Sequence, residues 1–111
     1  MVTDGFREFV LEQLRRASPA TITHRPLFGG VGIYADGLFF GFMANDMLYF
    51  KVDDTNRGYF EDRGMGPFLP YGDPDRPMSH WQVPGDLLEE PDQLGTWMER
   101  SLDVARRAKK Q

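Results

Sequence analysis

The chain has 111 residues, 41% of them apolar, and a formal net charge of −4, which predicts a single domain over residues 1–111 with one modest core. It contains no cysteine, and this excludes disulfides, iron–sulfur clusters, thiolate zinc sites and cysteine nucleophiles. No run of about 18 apolar residues could span a bilayer, and the first residues lack a signal-peptide pattern, so we expect a cytoplasmic protein without a membrane partner.

The first predicted element is an amphipathic helix that begins near Asp4 and ends at Ser18-Pro19. Its apolar residues recur at helical spacing: Phe6, Phe9, Val10, Leu14 and Ala17. A short extended segment follows over residues 25–28, where Pro26 indicates the edge of a sheet.

Three strands are predicted next, over residues 31–35, 38–44 and 47–52, because these segments are rich in aromatic, β-branched and other large apolar residues. Asp36-Gly37 predicts a two-residue type I′ turn between the first two strands. Asn45-Asp46 is a weaker indication of the same turn between the second and third. Together the segments predict an antiparallel meander.

Two-residue turns would also set the register of this meander. They would pair Ala35 with Leu38, Ile33 with Phe40, and Gly32 with Gly41. One face would then carry Gly30, Gly32, Gly41, Tyr34, Phe39, Met43, Leu48, Phe50 and Val52, with a trough at the glycines. Gly30, Gly32 and Ala35 also fit a G-x-G-x-x-A dinucleotide pattern, with Asp53 as its acid. That pattern needs a helix where the sequence predicts a strand, so we interpret the glycines as structural.

The opposite face of the predicted meander is apolar as well. It would carry Val31, Ile33, Phe40 and Phe42 beside Tyr49 and Lys51. A sheet that is apolar on both sides has to be covered twice. Either the helices divide between the two faces, or a partner subunit covers the remainder.

The rest of the chain alternates between helical and extended segments. Asp53 or Asp54 is expected to cap a short helix that ends at Gly64. Two short strands, 68–71 and 78–83, would be joined by loop 72–77, and a helical turn from Pro84 precedes a final helix from Pro91. These elements predict an α+β fold: an antiparallel sheet of about five to six strands with an N-terminal, a middle and a C-terminal helix.

The sequence offers little catalytic chemistry. His24 and His80 lie in no metal-binding frame, and Ser79 and His80 would point to opposite faces of a strand. Phosphate-loop and nucleophile-elbow patterns do not occur. We therefore predict no catalytic, cofactor-binding or metal-ligating residues, no cofactor and no enzymatic activity.

Two surfaces are candidates for recognition. The first would present aromatic and cationic side chains to a partner protein: Arg25, Lys51, Tyr71, Arg76, His80 and Trp81. The second is the C-terminal end, where residues 100–111 hold five basic and one acidic side chain, against four and thirteen in residues 26–99. Its candidate polyanion contacts are Arg106, Arg107, Lys109 and Lys110, although cations there would also complement a helix dipole.

Three segments, in order, carry a family resemblance: FGGVGIYADGLFFGFMANDMLYFKVDDTNRGYFEDRGMGPF, RPMSHWQVP and EEPDQLGTWMERSLDVARRAKK. Over nearly the whole chain the sequence resembles the N-terminal domain of the TfoX (Sxy) family. Leu27 stands where the family usually has Met, and His80 where it often has Tyr. The resemblance implies a secretion-chaperone-like α+β fold, in a group whose members often dimerise, and it offers no catalytic residues to carry over.

The resemblance also implies a functional class. Full-length members of the family are regulators of competence genes, thought to act as coactivators beside a DNA-bound activator, and they carry a second, helical domain that we expect this chain to lack. The leading hypothesis is thus a non-enzymatic protein-interaction domain in gene regulation, which could form a homodimer. The alternatives are direct nucleic-acid binding through the basic C-terminal helix, and a ligand-binding or enzymatic domain that uses the glycine trough or the region of Tyr71, His80 and Trp81.

Overall fold

The computed structural model describes residues 1–27, 29–73, 75 and 78–109, and for Tyr71 the main chain alone. Three α-helices and five strands follow one another as α1 (Asp4–Ala17), β1 (Ile22–Leu27), β2 (Gly30–Ala35), β3 (Leu38–Ala44), β4 (Met47–Lys51), α2 (Arg57–Glu61), β5 (His80–Gln82) and α3 (Pro91–Lys109). Two 3₁₀ turns lie at Pro70–Gly72 and Gly85–Glu89. The predicted α+β class with three helices is confirmed.

Local interactions set the ends of the two long helices. The Thr3 hydroxyl accepts a hydrogen bond from the Phe6 N–H at 3.3 Å, which caps the start of α1. The helix ends at Ser18, whose backbone is extended. Pro91 opens α3, where its missing N–H costs nothing, and basic side chains fill the last turn. Both helices lie where the apolar spacing predicts them.

The five strands form one antiparallel sheet in the order β1-β2-β3-β4-β5. Both predicted type I′ turns are confirmed, since Asp36, Gly37, Asn45 and Asp46 all have positive φ angles between 49° and 82°. Ala35 pairs with Leu38, and Met43 with Leu48, as the turns require. The strand order β2-β3-β4 is therefore the one that the two turns predict.

The predicted register fails beyond the first turn because β3 contains a bulge. Tyr34 pairs with Phe39 but Ile33 pairs with Gly41, so Phe40 is an extra residue on β3. The predicted pairs of Ile33 with Phe40 and of Gly32 with Gly41 are therefore wrong. An interior strand glycine often marks a bulge of this kind. The extra residue changes which side chains share a face on the two sides of it.

This bulge corrects the predicted faces of the sheet. Phe40, Met43, Leu48 and Phe50 lie in one core cluster with Ile33 and Val52, whereas Phe42, Ala44 and Tyr49 form a second cluster on the other side. Gly41 therefore lies on a different face from Gly30 and Gly32, and the predicted trough of three glycines does not form. Likewise Ile33 and Phe40 do not share a face with Phe42 and Tyr49.

All three α-helices bury apolar side chains in the first core cluster. Leu11 and Leu14 of α1, Phe60 of α2, and Leu94 and Met98 of α3 belong to it. The helices thus cover one face of the sheet and do not divide between the two. We call the opposite face, which carries Phe42, Ala44 and Tyr49 and which none of these three helices covers, the uncovered face.

The second predicted pair of strands is corrected in part. β5 is confined to His80–Gln82, and residues 68–71 form no strand. Pro67 makes a single bridge to Trp81, and a 3₁₀ turn begins at Pro70. Two prolines within four residues remove the donors that a longer ladder would need. The predicted alternation still holds, because Trp81 faces the helices and His80 the uncovered face.

The connection from β4 to α2 differs from the predicted cap. Asn56, rather than Asp53 or Asp54, precedes the helix, and the Asp53 carboxylate instead accepts hydrogen bonds from the Thr55 N–H and hydroxyl at 2.8 and 2.6 Å. Short polar side chains compete with helix capping through such local turns. At the far end, Gly64 has a φ of 72° and the Met65 N–H donates to the Phe60 carbonyl, as predicted for a glycine after a helix.

Asn56 ties this connection to the rest of the fold, because its side chain is 1% exposed and fully engaged. Its Oδ1 accepts from the Asp53 N–H at 2.9 Å, and its Nδ2 donates to the Lys51 carbonyl at 3.1 Å and to Ser101 Oγ on α3 at 3.4 Å. The side chain thus links the end of β4 to the last helix.

We expect Asn56→Ala to lower the free energy of unfolding by about 2 kcal/mol, since it leaves buried backbone groups without partners. Urea denaturation followed by tryptophan fluorescence measures this. Gln93→Ala, which shortens an exposed amide on α3, is the matched control and should change stability by less than about 0.5 kcal/mol. Equal effects of the two substitutions would contradict the assigned role of Asn56.

Candidate interaction surface

Among the described residues, the side chains of Phe68 and Leu27 close part of the uncovered face. Phe68 lies with its ring centroid 5.2 Å from that of Phe42 and 5.0 Å from that of Tyr49, and Leu27 packs against the same cluster. Burial raises the pKa of the Tyr49 hydroxyl. The β3–β4 part of this face is therefore already packed.

The remaining part presents a row of aromatic side chains across β2, β3 and β5. The Tyr34 and Phe39 ring centroids lie 5.3 Å apart, and the Phe39 ring is 4.9 Å from the His80 ring. Tyr34 and Phe39 are half-buried. We call Tyr34, Phe39 and His80 the aromatic row.

A cation lies at each end of the aromatic row. The Arg25 guanidinium, on the exposed part of β1, is 4.8 Å from the centroid of the Tyr34 ring. At the other end, Lys51 pairs with His80 across β4 and β5, and its Nζ donates to Ser79 Oγ at 3.3 Å. Apolar ring edges between two positive charges are suited to contact with another molecule.

His80 is the buried end of the row. Its side chain is 2% exposed, and among the described residues neither Nδ1 nor Nε2 has a hydrogen-bond partner. Burial, with a smaller contribution from the nearby Lys51 charge, lowers the pKa of His80 from 6.5 to about 4. The imidazole is therefore neutral at physiological pH and acts as part of the packed face.

The six residues predicted for protein contact do not form one surface. Arg25 and Lys51 do lie on the uncovered face, and His80 lies beneath it, too buried to be an exposed contact. Trp81 points the other way and packs beside Phe60 in the core on the helix side, with the rings 6.4 Å apart. The Tyr71 side chain and the whole of Arg76 lie outside the described residues.

Tyr34 and Phe39 are the members of this surface that the prediction did not select. The sequence does indicate that these two side chains are neighbours, because a two-residue turn at Asp36-Gly37 places Tyr34 opposite Phe39. What the sequence left open was which neighbours they have, since the bulge separates them from Met43 and Phe50.

The predicted structural role fits two of the three glycines closely. A Cβ on Gly30 would meet the Met43 carbonyl oxygen and, at 2.8 Å, the Phe42 ring. A Cβ on Gly32 would lie 3.1 Å from Leu27 and 3.3 Å from Phe39. Around Gly41 the nearest atoms are at an ordinary 3.5 Å. Gly30 to Ala35 is a strand, so no helix begins at Gly32 and the dinucleotide pattern is accidental.

Two of the predicted polyanion contacts are engaged by carboxylates. Arg106 Nη1 lies 2.8 Å from Asp103 Oδ1 and 3.9 Å from Glu99 Oε2. Arg107 Nη2 lies 3.2 Å from Asp53 Oδ2 and 2.7 Å from Thr55 Oγ1. Lys109 is exposed at the end of α3, and Lys110 lies outside the described residues.

Asp53 belongs to this pairing rather than to a ribose site. Burial opposes its ionisation, but the hydrogen bonds from Thr55 and Arg107 outweigh that effect and lower the pKa of the carboxyl group. The charge of Arg107 is thereby partly neutralised at the surface.

Within the described residues, no three or more His, Asp or Glu side chains come together in a way that could hold a metal ion. In the same part of the chain, none of the helices has the length and apolar character needed to cross a membrane.

The family model of the TfoX N-terminal domain matches residues 12–105. The chain belongs to this family. Among curated proteins, no sequence match is found.

As a TfoX N-terminal domain, the chain has its whole sheet within the matched residues. The match includes Arg25, the aromatic row and Lys51, together with Gly30 and Gly32. Arg106, Arg107 and Lys109 lie beyond it. The matched range thus contains the uncovered face but not the basic C-terminal turn.

Proposed function

We propose that this TfoX N-terminal domain is a non-enzymatic, cytoplasmic protein-interaction domain that acts as a co-regulator of transcription, of the kind known for competence genes. One observation carries the proposal: the helices cover a single face of the sheet and leave half-buried aromatic side chains, flanked by cations, on the other. Family membership supports the regulatory role.

The chemistry of the same face supports a binding role over a catalytic one. His80 is the histidine of the aromatic row, and a histidine that acts as a general base needs a partner that orients its ring. Among the described residues its nitrogens have no hydrogen-bond partner. The Lys51 ammonium beside it further disfavours proton uptake.

Direct nucleic-acid binding through the C-terminal helix has weaker support. Arg106 and Arg107 would have to give up carboxylate partners before they could neutralise phosphates. The net charge of −4 also repels a polyanion. We therefore expect nucleic acid to be reached through a partner protein.

The experiment is affinity capture of the tagged, full chain from extracts of its own cells, with and without nuclease treatment. We expect a subunit of RNA polymerase or a DNA-binding activator to be retained in both extracts, because the contact is between proteins. Retention that disappears after nuclease treatment would favour the nucleic-acid alternative. Turnover of a metabolite by the purified chain would replace the proposal with an enzyme.

A further inference from the structure

The open part of the uncovered face has a distinctive charge pattern. The five strands contain no Asp or Glu, and they carry Arg25 and Lys51 on this face. The chain as a whole has a net charge of −4. A face that is positive and apolar on an otherwise acidic protein complements a ligand that combines carboxylates with apolar groups.

The ring geometry argues against a nucleobase as the ligand. Base stacking requires a free ring face, but Arg25 covers one face of Tyr34. Phe39 lies between Tyr34 and His80 at interplanar angles of 41° and 39°, so its neighbours crowd both sides. Ring edges, rather than ring faces, are what a ligand would meet, and these suit aliphatic and aromatic side chains of a peptide.

The edges of the sheet argue that such a peptide lies across the face. On the β1 edge, Pro26 has no N–H to offer, and Arg15 Nη2 already donates to the Ile22 carbonyl at 3.1 Å. On the β5 edge, the Gln82 N–H donates to the Gly66 carbonyl and the Phe68 N–H to the His80 carbonyl. Addition of a further strand is therefore opposed at both edges.

We infer that Arg25, Tyr34, Phe39 and Lys51 form a docking surface for an acidic, amphipathic segment of a partner protein. The inference rests on the proposed function and specifies where the partner binds and what its chemistry is. Carboxylates of the segment pair with Arg25 and Lys51, and its apolar side chains pack against the edges of Tyr34 and Phe39. Gly32, which has no side chain, leaves room for the Phe39 ring to pack over the strand.

The first test is selection of a displayed library of random peptides, each about a dozen residues long, on the purified full chain at about 0.1 M salt. We expect the enriched peptides to carry Asp or Glu together with large apolar residues. Enrichment of basic peptides, or of none, would overturn the inference.

The second test uses the most enriched peptide, synthesised with a fluorescent label. Arg25→Glu should weaken its binding by about tenfold or more, because it reverses an exposed charge at the site. Arg16→Glu makes the same reversal on α1, on the helix side, and should change the dissociation constant by less than about twofold. Equal effects of the two variants would overturn the inference.

Amide chemical shifts locate the bound peptide independently of these variants. They should change most along β2 and β3, around Tyr34 and Phe39. Changes centred on the pocket of about 510 Å³ that Ala20, Leu38 and Leu102 line on the helix side would overturn the inference while leaving the interaction-domain proposal standing. The inference would also be overturned if an oligothymidylate displaced the peptide. A solution mass of two chains, with this face as the dimer contact, would overturn it as well.

The two proposals can therefore fail separately. If a peptide binds at this face but the chain captures no transcription protein, the regulatory role is wrong and the docking surface stands. If a transcription protein is captured equally well by the Arg25→Glu variant, the docking surface is wrong and the regulatory role stands.

Discussion

Gly30→Ala is expected to lower the free energy of unfolding by about 3 kcal/mol. An added Cβ would overlap the Met43 carbonyl oxygen and lie 2.8 Å from the Phe42 ring. The carbonyl belongs to the neighbouring strand of the sheet, and Phe42 is completely buried, so neither can move aside cheaply. Urea denaturation followed by the fluorescence of Trp81 and Trp97 measures the change.

Gly41→Ala is the matched control, since it adds the same methyl group at another interior strand glycine. There the nearest atoms would lie at 3.5 Å, an ordinary van der Waals distance. We expect it to change stability by less than about 1 kcal/mol. If both variants had the same denaturation midpoint, the close approach of strands at Gly30 would be wrong.

His80 is expected to make the protein lose stability on acidification well before its carboxylates are protonated. The folded chain keeps the imidazole neutral down to about pH 4, whereas the unfolded chain binds a proton below about pH 6.5. Because the unfolded state then binds more protons, the free energy of unfolding falls as the pH falls through this window. A pKa difference of this size corresponds to about 3 kcal/mol.

His80→Phe should remove this pH dependence, because the ring keeps its size and loses its titrating nitrogens. The difference in unfolding free energy between the native chain and the variant should therefore grow by about 3 kcal/mol between pH 6.5 and pH 4. At neutral pH we expect the variant to be at least as stable, since it lacks two buried nitrogens for which the described residues offer no hydrogen-bond partner. His24→Phe, at an exposed position on β1, is the control. Parallel pH profiles for the native chain and His80→Phe would contradict the buried neutral imidazole.

Both predictions concern the uncovered face, and this links the stability of the fold to its proposed use. Gly30 allows β2 and β3 to approach closely beside Phe42, in the packed part of this face, and His80 closes one end of the aromatic row. The exposed Arg25 and the half-buried Lys51 add positive charge at the two ends of the aromatic row. The same sheet would thus provide both the packed layer and the charged side chains of the proposed contact.

The elements that were predicted correctly depend on residues close together in the chain. The 3.6-residue spacing of apolar side chains determines α1 and α3, and Pro91 marks where α3 begins. Asp36-Gly37 and Asn45-Asp46 determine two tight turns, because few residues accept positive φ angles. The order of the sheet follows from these turns, since each joins neighbouring antiparallel strands.

The wrong predictions of strand pairing and sheet faces arise where a single residue changes the orientation of many side chains. The extra Phe40 in β3 reverses the alternation of faces, so Gly41 separates from Gly30 and Gly32, and Phe42 separates from Phe40. Pattern alone cannot locate such a bulge, because both faces of β3 are apolar and either alternation would be acceptable. Pro67 and Pro70 likewise reduced a predicted strand to a single bridge.

By itself, the sequence determined the family, the α+β class, the helices and the tight turns, since these depend on local propensity and on motifs read in order. Only the tertiary structure decided which face the helices cover, that His80 is buried and Trp81 turned away from it, and that Arg107 is paired with Asp53. Those outcomes depend on packing between residues far apart in the chain, such as Asp53 and Arg107, which are 54 positions apart. They are set by the shape of the whole core, which no local pattern encodes.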